Sequence, residues 1–167
     1  MRLNVGAGAS RIEGYLNVDI TEGADLRFDI SDPWPLADAS VDAIYSMHAF
    51  EHVSYRKEET LWHEVYRVLK PGGTLHVETP DVRRIMAIFL AEPEWFTFDA
   101  HNDLGCAPWG EPMRFIFGYQ IGEGQVHMSA YSEIKFDSIA RILGFFSYQV
   151  LPITTGNMPC LKFLATK

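Results

Sequence analysis

Arg2-Leu3-Asn4-Val5-Gly6-Ala7-Gly8, followed by Leu16-Asn17-Val18-Asp19-Ile20, is the stretch whose reading decides the fold. A short apolar run enters a glycine turn, and a second apolar run ends on a carboxylate. Gly6 and Gly8 let the backbone turn sharply and let a ligand approach where a Cβ would otherwise stand. With residues 3–5 and 16–18 as adjacent parallel strands, the turn and Asp19 share the carboxyl edge of the sheet, where open α/β sheets bind ligands. A carboxylate placed there can accept hydrogen bonds from both hydroxyls of a ribose. The stretch points to a nucleoside-containing ligand on an α/β fold; a plain tight turn is the other reading of the two glycines.

The spacing narrows the choice of nucleotide. A dinucleotide-binding unit places its acidic residue roughly 20 residues beyond the glycines, after a full helix. Here Asp19 follows Gly8 by eleven residues, and the third glycine position is Arg11. There is room only for a helical turn over residues 10–13, ended by Gly14. A pyrophosphate seated on a helix N-terminus is therefore poorly supported, and a nucleotide-dependent oxidoreductase with it.

Beyond this unit the signals alternate. A short third strand is expected over 25–30, then Pro33-Trp34-Pro35-Leu36, which cannot be helical because each proline restricts the residue before it. Residues 41–46 form a fourth strand, apolar enough to be central, running into a loop or helical turn at 47–52. Leu61, Val65, Val68 and Leu69 share one face of a helix over 55–69, stopped by Pro71-Gly72-Gly73. A fifth strand follows at 74–78, and Asp81 caps a helix through about residue 90. This alternation predicts a parallel sheet with helices on both faces. From 91 to 130 the pattern is lost among Trp95, Phe96, Phe98, Trp109, Phe115, Phe117 and Tyr119; such long stretches serve as lids or binding loops. Ser132 caps a helix through Leu143, closed by Gly144. Residues 145–153 and 160–166, joined by Thr155-Gly156-Asn157, predict an antiparallel hairpin.

Composition sets outer limits. The 167 residues suit one domain with a real core. A hydrophobic content of 47% and a charged content of 22% are those of an ordinary globular protein. The net charge of -8, with Lys and Arg scattered, disfavours a nucleic-acid surface. Cys106 and Cys160 lack the spacing of a zinc site or disulfide scaffold and suit a reducing compartment, so a cytoplasmic protein is expected. No apolar run approaches a membrane span, and Gly6 and Gly8 interrupt any signal-peptide core.

Four stretches together carry a family resemblance: Asn4-Val5-Gly6-Ala7-Gly8, the carboxylate Asp19, Asp29-Ile30 ahead of Pro33-Trp34-Pro35-Leu36, and Arg67-Val68-Leu69-Lys70-Pro71-Gly72-Gly73-Thr74-Leu75. The last, with Phe50-Glu51-His52-Val53 upstream, is the most specific. In these residues the chain resembles the class I S-adenosylmethionine-dependent methyltransferases, and within them a small branch whose first crossover helix is nearly absent. The motifs lie within residues 1–80, with a looser likeness over 127–150. The resemblance implies an α/β fold: a doubly wound, mostly parallel seven-stranded sheet with an antiparallel C-terminal strand. It implies S-adenosylmethionine as cofactor, with Gly6, Ala7 and Gly8 near its methionine part, Asp19 on the ribose hydroxyls and Ile20 against the adenine. Asp29 would accept from the adenine amino group with the Ile30 backbone beside it, and Ser46 and Met47 would border the sulfonium and methyl group. The family usually carries a helical segment ahead of strand one that covers the cofactor. This sequence begins almost at strand one, so cover is expected from 91–130 or a partner subunit, or the site is open.

Methyl transfer from a sulfonium is an in-line displacement, governed by placement, with a base needed mainly for a hydroxyl or ammonium acceptor. His48, directly after Met47 at the end of strand four, is a candidate base or a packing histidine. His127, at the end of the aromatic segment, reaches the site from the lid or is an exposed loop residue. Glu51-His52 reads as structural, since side chains there begin to point along the helix; so do His63, His76 and His101. The aromatic residues shape an acceptor pocket, a satellite core, or a homodimer interface. Asp99, His101 and Asp103 alternate as a solvated loop would, and no metal is expected. The expected function is methyl transfer to a small-molecule or carbohydrate-type acceptor. The alternative is a catalytically inactive cofactor-binding or interaction protein on the same fold.

Overall fold

The alternating signals resolve into a seven-stranded sheet of order β3-β2-β1-β4-β5-β7-β6. The computed structural model describes residues 1–91, 110–120, 122 and 124–167. Strands β1 (Arg2–Val5), β2 (Leu16–Asp19), β3 (Leu26–Arg27), β4 (Val41–Met47) and β5 (Leu69–Pro80) are parallel. The hairpin of β6 (Ser147–Thr155) and β7 (Met158–Thr166) closes the other edge, with β7 inserted antiparallel beside β5. This is the doubly wound sheet with an antiparallel last strand that the sequence implied. Strand order reverses at β1, which pairs with β2 on one side and β4 on the other. A crevice opens at such a reversal, outside the strand ends.

Helix α1 (Glu58–Val68) turns Leu61, Trp62, Val65 and Val68 into the main core. Helix α4 (Glu133–Leu143) adds Phe136 and Ala140, capped by the Ser132 hydroxyl and by left-handed Gly144 as expected. Phe136 stacks between Tyr131 and Phe163, at ring distances of 5.0 and 4.8 Å, with Trp62 edge-on to all three. Helix α2 (Val82–Ala91) begins after Asp81, whose Oδ1 accepts from the amides of Arg83 and Arg84. Its Ile85 forms a second, smaller cluster with Phe115 of helix α3 (Gly110–Phe117).

Four local expectations are corrected. Residues 6–15 hold turns and no helix. The Ser10 carbonyl, which a helix would use, instead accepts from the side-chain amides of Asn4 and Asn17, and those two amides bond each other at 3.2 Å. Strand β3 is two residues long rather than six: beyond it, Asp29 closes an Asx turn onto the amide of Ser31 and ends the pairing. Strand β5 runs through Pro71-Gly72-Gly73, since α1 has already ended at Val68. The extra residues appear as a bulge between the Val41–Leu69 and Ala43–Thr74 pairings. Helix α3 lies inside the stretch read as irregular; Pro112 stands in its first turn, where no intrahelical N–H is needed. The acceptor lid and dimer interface expected from the aromatic segment fall largely on residues outside those described, as do Cys106 and the Asp99-His101-Asp103 alternation.

Arg67, from the most specific motif, clasps the Pro-Trp-Pro-Leu loop to α1. Its guanidinium donates to both oxygens of Glu64 at 2.8 and 2.6 Å and to the carbonyls of Trp34 and Leu36. Glu64 in turn accepts from the Trp34 amide at 2.6 Å. Hydrogen bonding to Arg67 and Trp34 outweighs partial burial and holds the Glu64 carboxyl below its usual range.

Candidate active site

A cleft of about 670 Å³ opens at the carboxyl edge of the parallel strands, within the range of small-molecule sites. One wall comes from the first strand–turn–strand unit. The amides of Gly6 and Ala7 donate to the Val18 carbonyl, turning the chain back over β2. Gly6 has φ +66°, and a Cβ there would meet the Cβ of Ala49 at 2.1 Å, so only glycine fits. Gly8 also has positive φ, but nothing stands within 4 Å of where its Cβ would be; its approach side is open. The Gly8 amide donates to Asp19 Oδ2 at 2.7 Å, and the Thr21 amide to Oδ1 at 3.0 Å. Partial burial pushes the Asp19 carboxyl up, but the N–H groups of Gly8 and Thr21 outweigh it and hold it below the usual carboxylate range. A carboxylate has roughly four lone-pair sites, so Asp19 keeps acceptor capacity for a ligand diol. Ile20, Asp29 and Ile30 continue this wall.

The other wall comes from the end of β4 and the segment after α3. His48 takes a left-handed backbone, φ +54°, which turns the chain into a single 3-10 turn at Phe50–His52. Its Nδ1 lies 3.3 Å from Glu51 Oε1, and its Nε2 lies 4.0 Å from Cys160 Sγ. Burial opposes charge on the ring, but the Cys160 sulfur and the Glu51 carboxylate prevail and raise His48 to about 10. His48 is thus a cation at neutral pH, a hydrogen-bond donor rather than a free base.

His127 approaches from across the cleft, its Nε2 4.0 Å from Glu51 Oε1 and its ring edge-on to His52. Burial keeps its imidazole below the usual value, against the Glu51 charge, so His127 is neutral. The segment carrying it is tied down by backbone bonds: the amides of Met128 and Ser129 donate to the Glu51 carbonyl, and the His127 amide to Phe117. Gly124 reaches over Ile20, so this segment spans from one wall to the other.

Gly6, Gly8, Asp19, Ile20, Asp29, Ile30, His48 and His127 all line the one cleft. Ala7, Ser46 and Met47 do not: Ala7 is buried in the turn, the Ser46 hydroxyl donates to the Val5 carbonyl at 2.9 Å, and Met47 is turned toward Tyr45. Glu51, His52 and Lys57 line the cleft without having been singled out for it in the sequence. The contiguous His48-Ala49-Phe50-Glu51-His52 was the available signal, obscured because a 3-10 turn directs these side chains differently from the α-helical turn assumed.

The residues fit an adenosine-type ligand better than a dinucleotide. The open side of Gly8, the spare acceptor sites of Asp19 and the cleft size accommodate a nucleoside with a short tail. No helix follows Gly8 whose N-terminus could hold a pyrophosphate.

A family model described as "Methyltransferase domain" matches residues 3–77. No curated protein matches the chain in sequence. Among solved structures, a S-adenosylmethionine-dependent methyltransferase from Methanosarcina mazei is 14% identical, with a TM-score of 0.63 over 99% of this chain and 91% of that one. Another from Archaeoglobus fulgidus is 14% identical, with a TM-score of 0.61 over 99% and 85% of the two chains. The Burkholderia thailandensis 1,6-didemethyltoxoflavin-N1-methyltransferase, solved with bound 1,6-didemethyltoxoflavin and S-adenosylhomocysteine, is 16% identical, with a TM-score of 0.56 over 99% and 70% of the two chains. Residues 3–77 thus match the methyltransferase domain in sequence, and the chain has the fold of the class I S-adenosylmethionine-dependent methyltransferases.

Proposed function

We propose that the chain is one methyltransferase domain that transfers a methyl group from S-adenosylmethionine to a small-molecule or carbohydrate-type acceptor. The observation carrying this reading is Asp19, locked by the Gly8 amide at the mouth of the cleft with acceptor capacity to spare. In this reading Asp19 holds the ribose hydroxyls, the open face of Gly8 and the Gly6-Ala7 turn admit the methionine part, and Ile20, Asp29 and Ile30 receive the adenine. Bound there, the sulfonium supplies an electrophilic methyl group. His48 and His127, the proposed catalytic histidines, face the acceptor: the first brings a positive charge held in place by Glu51 and Cys160, and the second a neutral ring. Ser46 and Met47 support the end of β4 from outside the cleft. The described residues of 118–128 border the acceptor end; the lid expected from 91–130 falls largely outside the described residues. The cytoplasm is the proposed location, a reading the free, buried Cys160 supports.

Calorimetric titration with S-adenosylmethionine, S-adenosylhomocysteine and NAD tests the assignment. Binding of the first two and not the third is expected; binding of NAD, or of none, overturns it. Release of S-adenosylhomocysteine with a panel of hydroxyl and amine acceptors then separates the enzyme from a cofactor-binding protein without catalysis.

A further inference from the structure

Glu51, His52 and His127 converge in the acceptor wall, one donor atom from each lying within 4.8 Å of the other two. Two imidazoles and a carboxylate form a borderline donor set suited to a first-row divalent ion. Three observations take this beyond juxtaposition. The Glu51 side chain is 2% exposed, and its Oε2 has no hydrogen-bond partner among the described residues. A buried carboxylate oxygen left so is costly, and a cation would satisfy it. His52 Nδ1 lies 3.1 Å from the Val126 carbonyl, which keeps the proton on Nδ1 and leaves Nε2 with a lone pair. Metal-binding histidines are characteristically oriented this way, by a carbonyl on the other ring nitrogen. His127 is likewise held by a hydrogen bond to the backbone of Phe115.

We propose that Glu51, His52 and His127 bind one divalent cation of the zinc class in the wall of the cleft. Ligand atoms about 2.1 Å from a tetrahedral ion stand about 3.4 Å apart, so the set closes by roughly an ångström, within the reach of side-chain rotation. The open coordination position faces the cleft and takes a hydroxyl oxygen of the acceptor. Metal binding acidifies that hydroxyl, and its proton leaves to water. The oxygen forms the new bond to the methyl carbon as the carbon–sulfur bond breaks, its electron pair staying on sulfur. This role rests on the methyl-transfer reading; the binding of the metal does not.

Protein stripped with a chelator and dialysed is titrated with zinc chloride by calorimetry and with cobalt(II) chloride by visible absorption. S-adenosylhomocysteine is titrated in parallel. One equivalent of zinc and the bands of tetrahedral cobalt are expected. Affinity should fall at least about tenfold in Glu51→Gln and His52→Ala. His63→Gln, exposed on α1, should leave it unchanged. Because Glu51 is buried, thermal melts accompany the titrations: zinc should raise the Tm of the parent protein but not that of His52→Ala. Absence of stoichiometric zinc binding to the parent, or binding unaltered in both His52→Ala and His127→Asn, overturns the site. Metal binding without S-adenosylhomocysteine binding upholds the site and overturns the donor assignment; the reverse result overturns the site alone.

Discussion

The two walls of the cleft are built in opposite ways. The wall carrying Gly6, Gly8 and Asp19 is local: within sixteen positions Asn4 and Asn17 bond each other and the Ser10 carbonyl, and Asp19 accepts from the Gly8 amide. The histidine wall is assembled from distant parts of the chain. His52 meets Val126 across 74 positions, and His48 meets Cys160 across 112. A local wall can be recognised from a short motif, because the residues that shape it are neighbours in sequence. The other exists only once β4, the 118–128 segment and β7 have been brought together. Gly6 is the joint, packed directly on Ala49 at the base of the histidine turn.

The largest effect is therefore expected at that joint. Gly6→Ala adds a methyl group where none fits, at a backbone angle that side chains resist. It should destabilise the protein by about 3–4 kcal/mol and abolish ligand binding, as read by denaturant melts. Gly8→Ala is the contrast: its Cβ meets open space, so only the left-handed backbone is penalised, by about 1–2 kcal/mol. Equal losses at the two positions would show that the walls are not joined at Gly6.

Next is Asp19→Ala, which should leave the fold nearly intact while weakening S-adenosylmethionine binding by roughly 1–3 kcal/mol, from the ribose hydroxyls left unpaired. Unchanged affinity in calorimetry would remove Asp19 from the site. Asn17→Leu strips one of the two amides from the Ser10 carbonyl and should lower stability by about 1–2 kcal/mol. The change should be felt in the local wall and leave the zinc affinity of the histidine wall alone.

The smallest effect concerns the Glu64–Arg67 clasp between α1 and the Pro-Trp-Pro-Leu loop, outside both walls. Glu64 has a folded-state carboxyl held below its ordinary value of 4.5. Its contribution to stability is therefore fully present above that value and is lost as pH falls through the lower, folded-state value. Denaturation at pH 7, 5 and 3 should show this loss, and Glu64→Gln should reduce it. A variant with an undiminished acid dependence would place the titration elsewhere.

Much of the sheet was legible because parallel strands read as short apolar runs and their connections carry turn residues. Ser132 and Gly144 marked α4 at both ends for the same local reason. The misreadings arose where a local signal competed with a distant partner. Pro71-Gly72-Gly73 looks like a helix stop, yet it forms a bulge in β5, because the Gly72 amide and the Gly73 carbonyl pair with Lys167 at the far end of the chain. Asp29 looked like strand and serves as a turn. In the site, the signal of Gly6, Gly8 and Asp19 lies in backbone conformation and spacing, both written locally. The signal of Glu51 and His52 is two polar residues after a strand, which many turns share.

The sequence by itself determined the strand–turn–strand unit, its terminal carboxylate and the spacing that sets it apart from a dinucleotide site, because glycine conformation and strand periodicity act over a few residues. Only the tertiary structure decided that His48 is held as a cation, that His127 is neutral, and that Glu51 is buried between them. Charge state and ligand geometry depend on burial and on partners more than 70 positions away, and no local pattern encodes those.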